Sequence, residues 1–445
     1  MSDKSERAPK DHESRSVWIA IIATIMIAVI LIVLISLPTR YGGIKGIFAP
    51  KNNEPVQYPV VLVHGLGGFG EDRAIADMQY WGATTGSLPD YLRGQGYTVH
   101  APSVGPFSST WDRTCELYAQ LTGTTVDYGE AHAKAHGHAR FGRTYDTALV
   151  PDWGEKTSDG QRVKIHLISH SFGGETIRML TSLLAYGNEA ERKASGKVVS
   201  GLFKGGKSDW VFSVTTICAP HNGSTLTCIV DELGSVAGID NTTDLLVDLL
   251  FKILKMNTGS AVMPDLMLEQ FGIVPGTKSS EEISEALKKI ETAGNDHAFY
   301  ELSPDGAAKL NAQIRMADNV YYFSYAYSTT KPGTRIGGMV PEKKTMPLLY
   351  PLALLLGGYH GTTPGGIVID ESWQDNDGLV SVVSAQYPAK DPHENYTPDV
   401  KPRPGVWYVM PTLRGDHSSP AGLNQPISAY HQMFTDMLSR VEGLR

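Results

Sequence analysis

One stretch, from Val163 to Tyr186, restricts the fold of this chain more than any other. It begins with an apolar run typical of a buried strand and ends in a segment of helix-forming composition. Between them lies the sequence Ser169-His170-Ser171-Phe172-Gly173-Gly174. Small residues around a serine at this point indicate a tight turn that places the serine at a helix N-terminus, where developing negative charge is stabilised. The stretch therefore predicts a reactive serine, Ser171, at the edge of a sheet.

A strand, the pattern small-x-Ser-x-Gly and a helix together form the nucleophile elbow of α/β-hydrolases. The first small residue is usually glycine, and here it is Ser169. Because the bare pattern arises often by chance, the flanking strand and helix carry the prediction. The alternative is an ordinary serine in a turn between a strand and a helix. The elbow predicts an α/β fold with a mostly parallel central sheet, that of an α/β-hydrolase.

Composition limits the other possibilities. The chain has 445 residues, enough for one large α/β domain with insertions or for two domains. Its net charge of −8 gives no indication of nucleic-acid binding. Its three cysteines are too few, and odd in number, for a disulfide framework, so they do not identify the compartment.

The N-terminal region divides into three segments. Residues 1–16 are polar and predict a disordered tail, residues 17–37 are apolar and uncharged, and residues 38–57 have the composition of a linker. A helix of about 20 residues spans a bilayer, and this apolar segment exceeds the core of a cleaved signal peptide. We predict a transmembrane anchor that places the domain of residues 58–445 on the extracytoplasmic side. A cleaved signal, which would give a secreted protein, is the alternative.

A glycine-rich loop, residues 64–70, follows a predicted strand at residues 59–63. In an α/β-hydrolase this loop supplies one backbone N–H of the oxyanion hole, and the residue after the nucleophile supplies the other. Leu66 is the candidate for the first donor and Phe172 for the second. A phosphate-binding loop is the rival interpretation, but residues 64–70 do not end in the Gly-Lys-Ser/Thr that such a loop needs.

Two later regions have unusual compositions. Residues 104–145 contain His132, His136 and His138 close together with carboxylates nearby, which indicates either a metal site or a solvated histidine-rich loop. Within residues 231–268, leucines such as Leu245 and Leu249 recur at helical spacing between charged residues. This amphipathic helix either packs on the core or serves as a mobile lid.

α/β-Hydrolases order their catalytic residues as Ser, then Asp or Glu, then His. Ser171, Asp377 and His417 follow that order, each after a predicted strand. The serine would attack an acyl carbonyl, the histidine would transfer its proton, and the aspartate would orient the imidazole. Spacing alone leaves other acids and histidines open: Asp370, Glu371, Asp375, His221, His360 and His393.

Further short segments stand in a fixed order from Tyr58 to the C-terminus. Besides the elbow they are residues 58–70, 81–82, 104–106, 111–113, 126–129, 137–145, 215–217, 220–221, 376–378 and 416–417. In these segments the chain resembles the true lipases of the staphylococcal and thermophilic-bacillus type. The resemblance implies Ser171, Asp377 and His417 as the triad, Leu66 and Phe172 as oxyanion donors, and a lid formed from residues 225–265.

The same resemblance implies a structural zinc ion in an insertion at about residues 104–145. Its ligands would be Asp112, His132, His138 and Asp296, the last resting on the short match at residues 295–300. His136 would not be a ligand. Two nitrogen and two oxygen ligands suit a tetrahedral zinc ion, and four protein ligands leave no position for substrate.

The family also has a calcium site after the catalytic histidine, and here this chain departs from the pattern. Ser419 and Asn424 stand where the family has Glu and Asp, and Gln425 replaces a proline. Calcium binding follows the number of carboxylate ligands, so we expect calcium to be absent or weakly bound.

Together these observations predict a membrane-anchored serine hydrolase that cleaves carboxylic esters of lipids, most simply a triacylglycerol lipase. Its partners would be a lipid ester at an interface and, through the N-terminal helix, a membrane. The alternatives are a carboxylesterase or phospholipase on the same fold, or a catalytically silent, membrane-tethered binding protein.

Overall fold

The computed structural model describes residues 58–73, 79–237, 265–273, 294–333 and 338–445. The predicted tail, anchor and linker, residues 1–57, lie outside these ranges, as does most of the predicted lid, including its amphipathic leucines. Across the ranges that are described, no helix has both the length and the apolar character needed to cross a membrane.

The strands are β1 (Val60–Val63), β2 (Val99–His100), β3 (Thr125–Asp127), β4 (Phe141–Thr144), β5 (Ile165–His170), β6 (Val211–Ile217), β7 (Tyr321–Tyr325), β8 (Tyr327–Ser328), β9 (Thr330–Pro332), β10 (Met339–Pro341), β11 (Gly361–Thr362), β12 (Val368–Ile369), β13 (His393–Asn395), β14 (Trp407–Val409) and β15 (Leu413–Arg414). The α-helices are α1 (Leu88–Gly94), α2 (Thr110–Thr122), α3 (Glu130–His136), α4 (Gly173–Tyr186), α5 (Glu189–Ser195), α6 (Thr225–Ala237), α7 (Ala298–Glu301), α8 (Pro304–Gln313), α9 (Tyr350–Gly358), α10 (Val382–Gln386) and α11 (Ile427–Glu442).

A seven-stranded sheet in the order β13-β14-β7-β6-β5-β1-β2 forms the centre, and all of its pairings are parallel. Its central strands are buried on both faces because alternate residues enter two cores. Val61 and Val63 pack with α2 and α4 on one face, whereas Val60 and Leu62 pack with α1 and α11 on the other. This arrangement confirms the predicted α/β-hydrolase fold.

The turn between β5 and α4 is tight enough to exclude side chains. A Cβ atom on Gly173 would lie 2.3 Å from the carbonyl oxygen of Val63, and one on Gly174 would lie 2.4 Å from the Cβ of Ala219. Both glycines are therefore required by the close approach of α4 to the ends of β1 and β6. The turn holds Ser171 at the carboxyl edge of the sheet.

The predicted insertion at residues 104–145 is a compact unit of α2, the antiparallel pair β3–β4, and α3 between those strands. By contrast, the segment from Trp407 to Arg414 is divided between two sheets. β14 pairs with β7 in the large sheet, whereas β15 pairs with β8 in a separate two-stranded sheet. Pro411 lies between β14 and β15 and has no N–H to donate, so the hydrogen-bond ladder between β14 and β7 ends before it.

Candidate active site

Ser171 adopts a backbone conformation that few residues with a side chain occupy. Its φ is 55°, in the left-handed region, and its N–H donates to the carbonyl of Ile217 at 2.9 Å. Such strain persists only where the surroundings enforce it, and it concentrates at functional sites. Here the end of β6 and the close packing of α4 hold the turn, so the hydroxyl projects from the sheet.

Ser171, His417 and Asp377 form one line of hydrogen bonds. Oγ of Ser171 lies 2.9 Å from Nε2 of His417, and Nδ1 of His417 lies 2.8 Å from Oδ2 of Asp377. The N–H groups of Leu379 and Val380 donate to Oδ1 of Asp377 at 3.0 and 2.8 Å. Because the carboxylate accepts from Nδ1–H, the free lone pair of Nε2 faces the serine. The structure thus brings the three predicted triad residues together.

The competing acids and histidines are placed elsewhere. Asp375 accepts hydrogen bonds from the hydroxyls of Ser328 and Thr330. Asp370 and Glu371 are exposed, as are His360 and His393. His221 is buried beneath the elbow, with Nε2 3.0 Å from the hydroxyl of Thr216.

The glycine-rich loop passes directly over the serine. A Cβ on Gly65 would lie 2.6 Å from the Cβ of Ser171, so only glycine allows this approach. Within the described part of the chain, the backbone N–H groups of Leu66 and Phe172 donate to no carbonyl or side chain. Two unpaired donors beside a reactive hydroxyl are what an oxyanion hole requires.

Arg113 is a residue of this site to which the sequence assigned no role. It is fully buried, and its guanidinium donates to the carbonyls of His64 and Gly105 at 2.6 and 2.7 Å and to the hydroxyl of Thr176 at 2.9 Å. It therefore ties the glycine-rich loop to α4. Burial lowers the pKa of Arg113 to about 10, which leaves the group charged at neutral pH. Burial, followed by the charge of Arg113, lowers the pKa of His64 to about 3.

Asp112, His132, His138 and Asp296 form a second cluster. Nε2 of His132 lies 3.3 Å from Oδ1 of Asp112 and 3.2 Å from Oδ2 of Asp296, and Nε2 of His138 lies 3.9 and 3.5 Å from the same two oxygens. All four atoms are buried without a hydrogen-bond partner. Zinc bonds of about 2.0–2.1 Å place tetrahedral ligands about 3.3 Å apart, so the cluster fits a metal ion. It is thus a possible metal site.

The outer atoms of this cluster are held by neighbours. Nδ1 of His138 donates to the carbonyl of Ala139 at 2.9 Å, and Gln270 donates to Oδ2 of Asp112 at 2.9 Å. Trp111 stacks on the ring of His132, with centroids 5.0 Å apart. Such partners fix the tautomer and orientation of metal ligands. Gln270 had no sequence signal, since it lies far from the histidines along the chain.

His170, Cys218 and His417 also lie close enough together to hold a metal ion. Both ring nitrogens of His170 are already hydrogen-bonded, and His417 belongs to the line of Ser171 and Asp377. Burial and the adjacent Asp377 carboxylate raise the pKa of the Cys218 thiol well above its usual range. The chemistry of this group is therefore less suited to a metal than that of the first cluster.

Asn424 and Gln425, which depart from the expected calcium-site pattern, both donate hydrogen bonds from their amides. Nδ2 of Asn424 donates to the carbonyl of Lys344 at 2.7 Å and to Oδ2 of Asp416 at 3.0 Å. The amide of Gln425 donates to the carbonyl of Ser419. These oxygens are thus engaged by N–H groups.

The parallel sheet, the strained serine and the Ser–His–Asp line define the α/β-hydrolase class. Comparison with known proteins identifies a family within this class. Residues 56–426 match the family described as "Lipase-like, C-terminal domain". The sequence is 36% identical to Lipase 2 of Staphylococcus aureus over 369 residues, which cover 81% of this chain and 50% of that protein.

Solved structures agree with the sequence comparison. Lipase 1 from Pelosinus fermentans is 37% identical with a TM-score of 0.70, and the match covers 85% of this chain and 98% of that one. Staphylococcus hyicus lipase is 28% identical with a TM-score of 0.73, covering 89% and 99%. The chain belongs to the staphylococcal-type lipase family, which confirms the resemblance found in its motifs. It spans about half the length of the curated relatives it matches.

Proposed function

We propose that this protein is a lipase that hydrolyses carboxylic esters of lipids through an acyl-enzyme on Ser171. The observation that carries the proposal is the unbroken line from Asp377 through His417 to Ser171, with hydrogen bonds of 2.8 and 2.9 Å. Lipase 2 of Staphylococcus aureus and the solved structures from Pelosinus fermentans and Staphylococcus hyicus are named lipases, which supports lipid esters as the substrate class.

In the proposed mechanism, Oγ of Ser171 attacks the ester carbonyl while Nε2 of His417 removes its proton. The resulting imidazolium is stabilised by the Asp377 carboxylate, which the two N–H groups of Leu379 and Val380 hold in place. The N–H groups of Leu66 and Phe172 would donate to the oxyanion of the tetrahedral intermediate. His417 then gives its proton to the leaving alcohol, and a water molecule releases the acid by the same sequence.

Hydrolysis of esters with graded acyl length, measured above and below their solubility limits, tests the substrate class. A lipase should turn over emulsified long-chain triglyceride at a rate at least comparable with that for dissolved short-chain esters. Greater activity on short soluble esters alone would favour a carboxylesterase, and preference for a charged head group would favour a phospholipase. A chain that hydrolyses no ester and is not labelled by a fluorophosphonate would be a binding protein.

Zinc held by Asp112, His132, His138 and Asp296 is the proposed metal. When bound it would supply a structural cross-link, because four protein ligands leave no open position for water or substrate. The four facing donor atoms without partners support this assignment. For calcium we propose absence or weak binding. Hydroxyl and amide groups stand in place of two carboxylates, and the amide of Asn424 already donates to the Lys344 carbonyl and to Asp416.

We also propose that residues 17–37 anchor the protein and place its catalytic domain on the extracytoplasmic side. The proposal rests on the length and uniform apolarity of this segment. The intact mass of protein extracted from membranes should include the N-terminus, and a variant lacking residues 1–40 should be soluble and active. A mature protein that begins between residues 38 and 58 would instead indicate a cleaved signal and secretion.

A further inference from the structure

A chain of three hydrogen bonds passes behind the triad and joins the glycine-rich loop to His417. The N–H of Gly65 lies 2.9 Å from the hydroxyl oxygen of Tyr80. That oxygen lies 2.6 Å from Nδ1 of His170, and Nε2 of His170 lies 2.9 Å from the carbonyl oxygen of His417. Residues from three distant parts of the sequence are thereby connected.

The direction of this chain is fixed at both ends. A backbone N–H can only donate, so Gly65 donates to Tyr80, and a carbonyl can only accept, so His170 donates from Nε2 to His417. In a neutral His170 that donates from Nε2, Nδ1 is an acceptor, so the remaining hydrogen bond runs from the Tyr80 hydroxyl to Nδ1 of His170. With His170 neutral and its proton on Nε2, Tyr80 and His170 each donate once and accept once between the Gly65 N–H and the His417 carbonyl.

The surroundings of His170 agree with a neutral ring. The residue is buried, and burial together with the nearby His417 holds its pKa well below the usual range. The titratable groups that face it are Tyr80, His417, His64 and Cys218. The rings of His170 and His417 lie 4.9 Å apart, so two imidazoles sit side by side at the site. Only His417 has a ring nitrogen directed at the serine.

We infer that Tyr80 and His170 are positioning residues that hold the oxyanion loop and His417 in register with Ser171. His417 is fastened on both sides, since its N–H donates to the carbonyl of Asp377 at 2.8 Å and its carbonyl accepts from His170. On the other side, the Gly65 N–H is fixed one residue before the proposed donor Leu66. The inference rests on the proposed function, because it assigns these residues to the same site.

The test compares Tyr80→Phe, His170→Leu and His170→Gln on a soluble short-chain nitrophenyl ester. A misplacement of about 1 Å or the loss of an oxyanion donor typically costs about 10²-fold. We therefore expect Tyr80→Phe and His170→Leu each to lower kcat by about 10- to 100-fold while KM changes by less than about threefold. Glutamine can still donate to the His417 carbonyl, so His170→Gln should recover most of kcat. The double variant Tyr80→Phe/His170→Leu should have a kcat no lower than that of the less active single variant, because both substitutions break the same chain of hydrogen bonds.

Matched controls lie on neighbouring elements. Tyr91→Phe removes a half-buried hydroxyl that contacts Thr435, and His166→Leu removes a buried histidine of β5 that contacts Ser213 and Glu442. Both should leave kcat unchanged, even where His166→Leu lowers Tm. The rate of Ser171 labelling by a fluorophosphonate should follow kcat in every variant. Since labelling needs no lipid substrate, it tests the inference even if the proposed substrate class is wrong.

The inference fails if Tyr80→Phe retains wild-type kcat and labelling rate. It also fails if a folded His170→Gln loses as much kcat as His170→Leu, or if the losses of the two single variants multiply in the double variant. Should His170→Leu not fold, Tyr80→Phe and His170→Gln still decide the question.

Discussion

Ser171→Ala is expected to lower kcat for every ester that the enzyme hydrolyses by about 10⁴-fold or more. The variant loses the hydroxyl that lies in line with His417, while the proposed oxyanion donors and the fold remain. Alanine has a Cβ like serine, so the strain at φ of 55° is unchanged and Tm should stay within about 2 °C of the wild type. Activity and thermal unfolding of the purified domain provide the two measurements.

The elbow itself supplies a matched control. Ser169 lies two residues earlier, is fully buried, and its hydroxyl has no hydrogen-bond partner among the described residues. Ser169→Ala should therefore keep both activity and fluorophosphonate labelling, whereas Ser171→Ala should lose both. Retention of more than a few per cent of activity in Ser171→Ala would show that another group is the nucleophile.

The acid of the triad can be separated from its neighbour in the same experiment. Asp377→Asn should lower kcat by about 10⁴-fold because the amide favours the wrong tautomer of His417. Asp375→Asn should have a much smaller effect, since Asp375 contacts Ser328 and Thr330 instead. If Asp377→Asn were active and Asp375→Asn inactive, Asp375 would be the acid that orients His417.

Removal of the proposed zinc is expected to produce the largest loss of stability. Without a cation, two buried carboxylates and two imidazoles face one another with no other partner for the facing atoms. An uncompensated buried charge costs about 3–5 kcal/mol, so a zinc-specific chelator and His138→Ala should each lower Tm by at least about 5 °C. Elemental analysis of the purified domain should find one zinc per chain and no calcium.

Two comparisons make the metal prediction specific. His136 lies beside His132, with ring centroids 4.5 Å apart, but does not belong to the four-residue cluster, so His136→Ala should change Tm much less than His138→Ala. The variant Ser419→Glu/Asn424→Asp restores two carboxylates, and its Tm should rise with added calcium while that of the wild type does not. Stoichiometric calcium without zinc in the wild-type protein would contradict both assignments.

The sequence predicts those parts of the site in which neighbouring residues carry the signal. The elbow is local, because Ser171 and its glycines must follow a strand and precede a helix. The order of Asp377 and His417 supplies the rest of the triad but leaves Asp375 open until the hydrogen bonds of each carboxylate are known. His132 and His138 stand out by their proximity, whereas Asp296 is more than a hundred residues away and is found only through the family resemblance.

The remaining features depend on tertiary contacts between ordinary residues. Tyr80 is one of twenty tyrosines, and nothing near it in sequence indicates that its hydroxyl will meet His170. Arginine is a residue type that usually lies at the surface, but Arg113 is buried and donates to two backbone carbonyls. Pro411 marks the end of β14 in the sequence, but the pairing of β15 with β8 is a tertiary effect that the sequence does not indicate.

Two adjacent residues of α2 link the candidate metal cluster to the glycine-rich loop. Asp112 and Arg113 are consecutive in the first turn of α2, yet Asp112 faces the histidine cluster and Arg113 grips the loop above the serine. The first turn of α2 therefore connects the candidate metal cluster with the glycine-rich loop through two consecutive residues. We expect the two regions to open together, so that their amides exchange with solvent at similar rates. Through this turn of α2, the proposed ion would help to hold the proposed oxyanion hole in position.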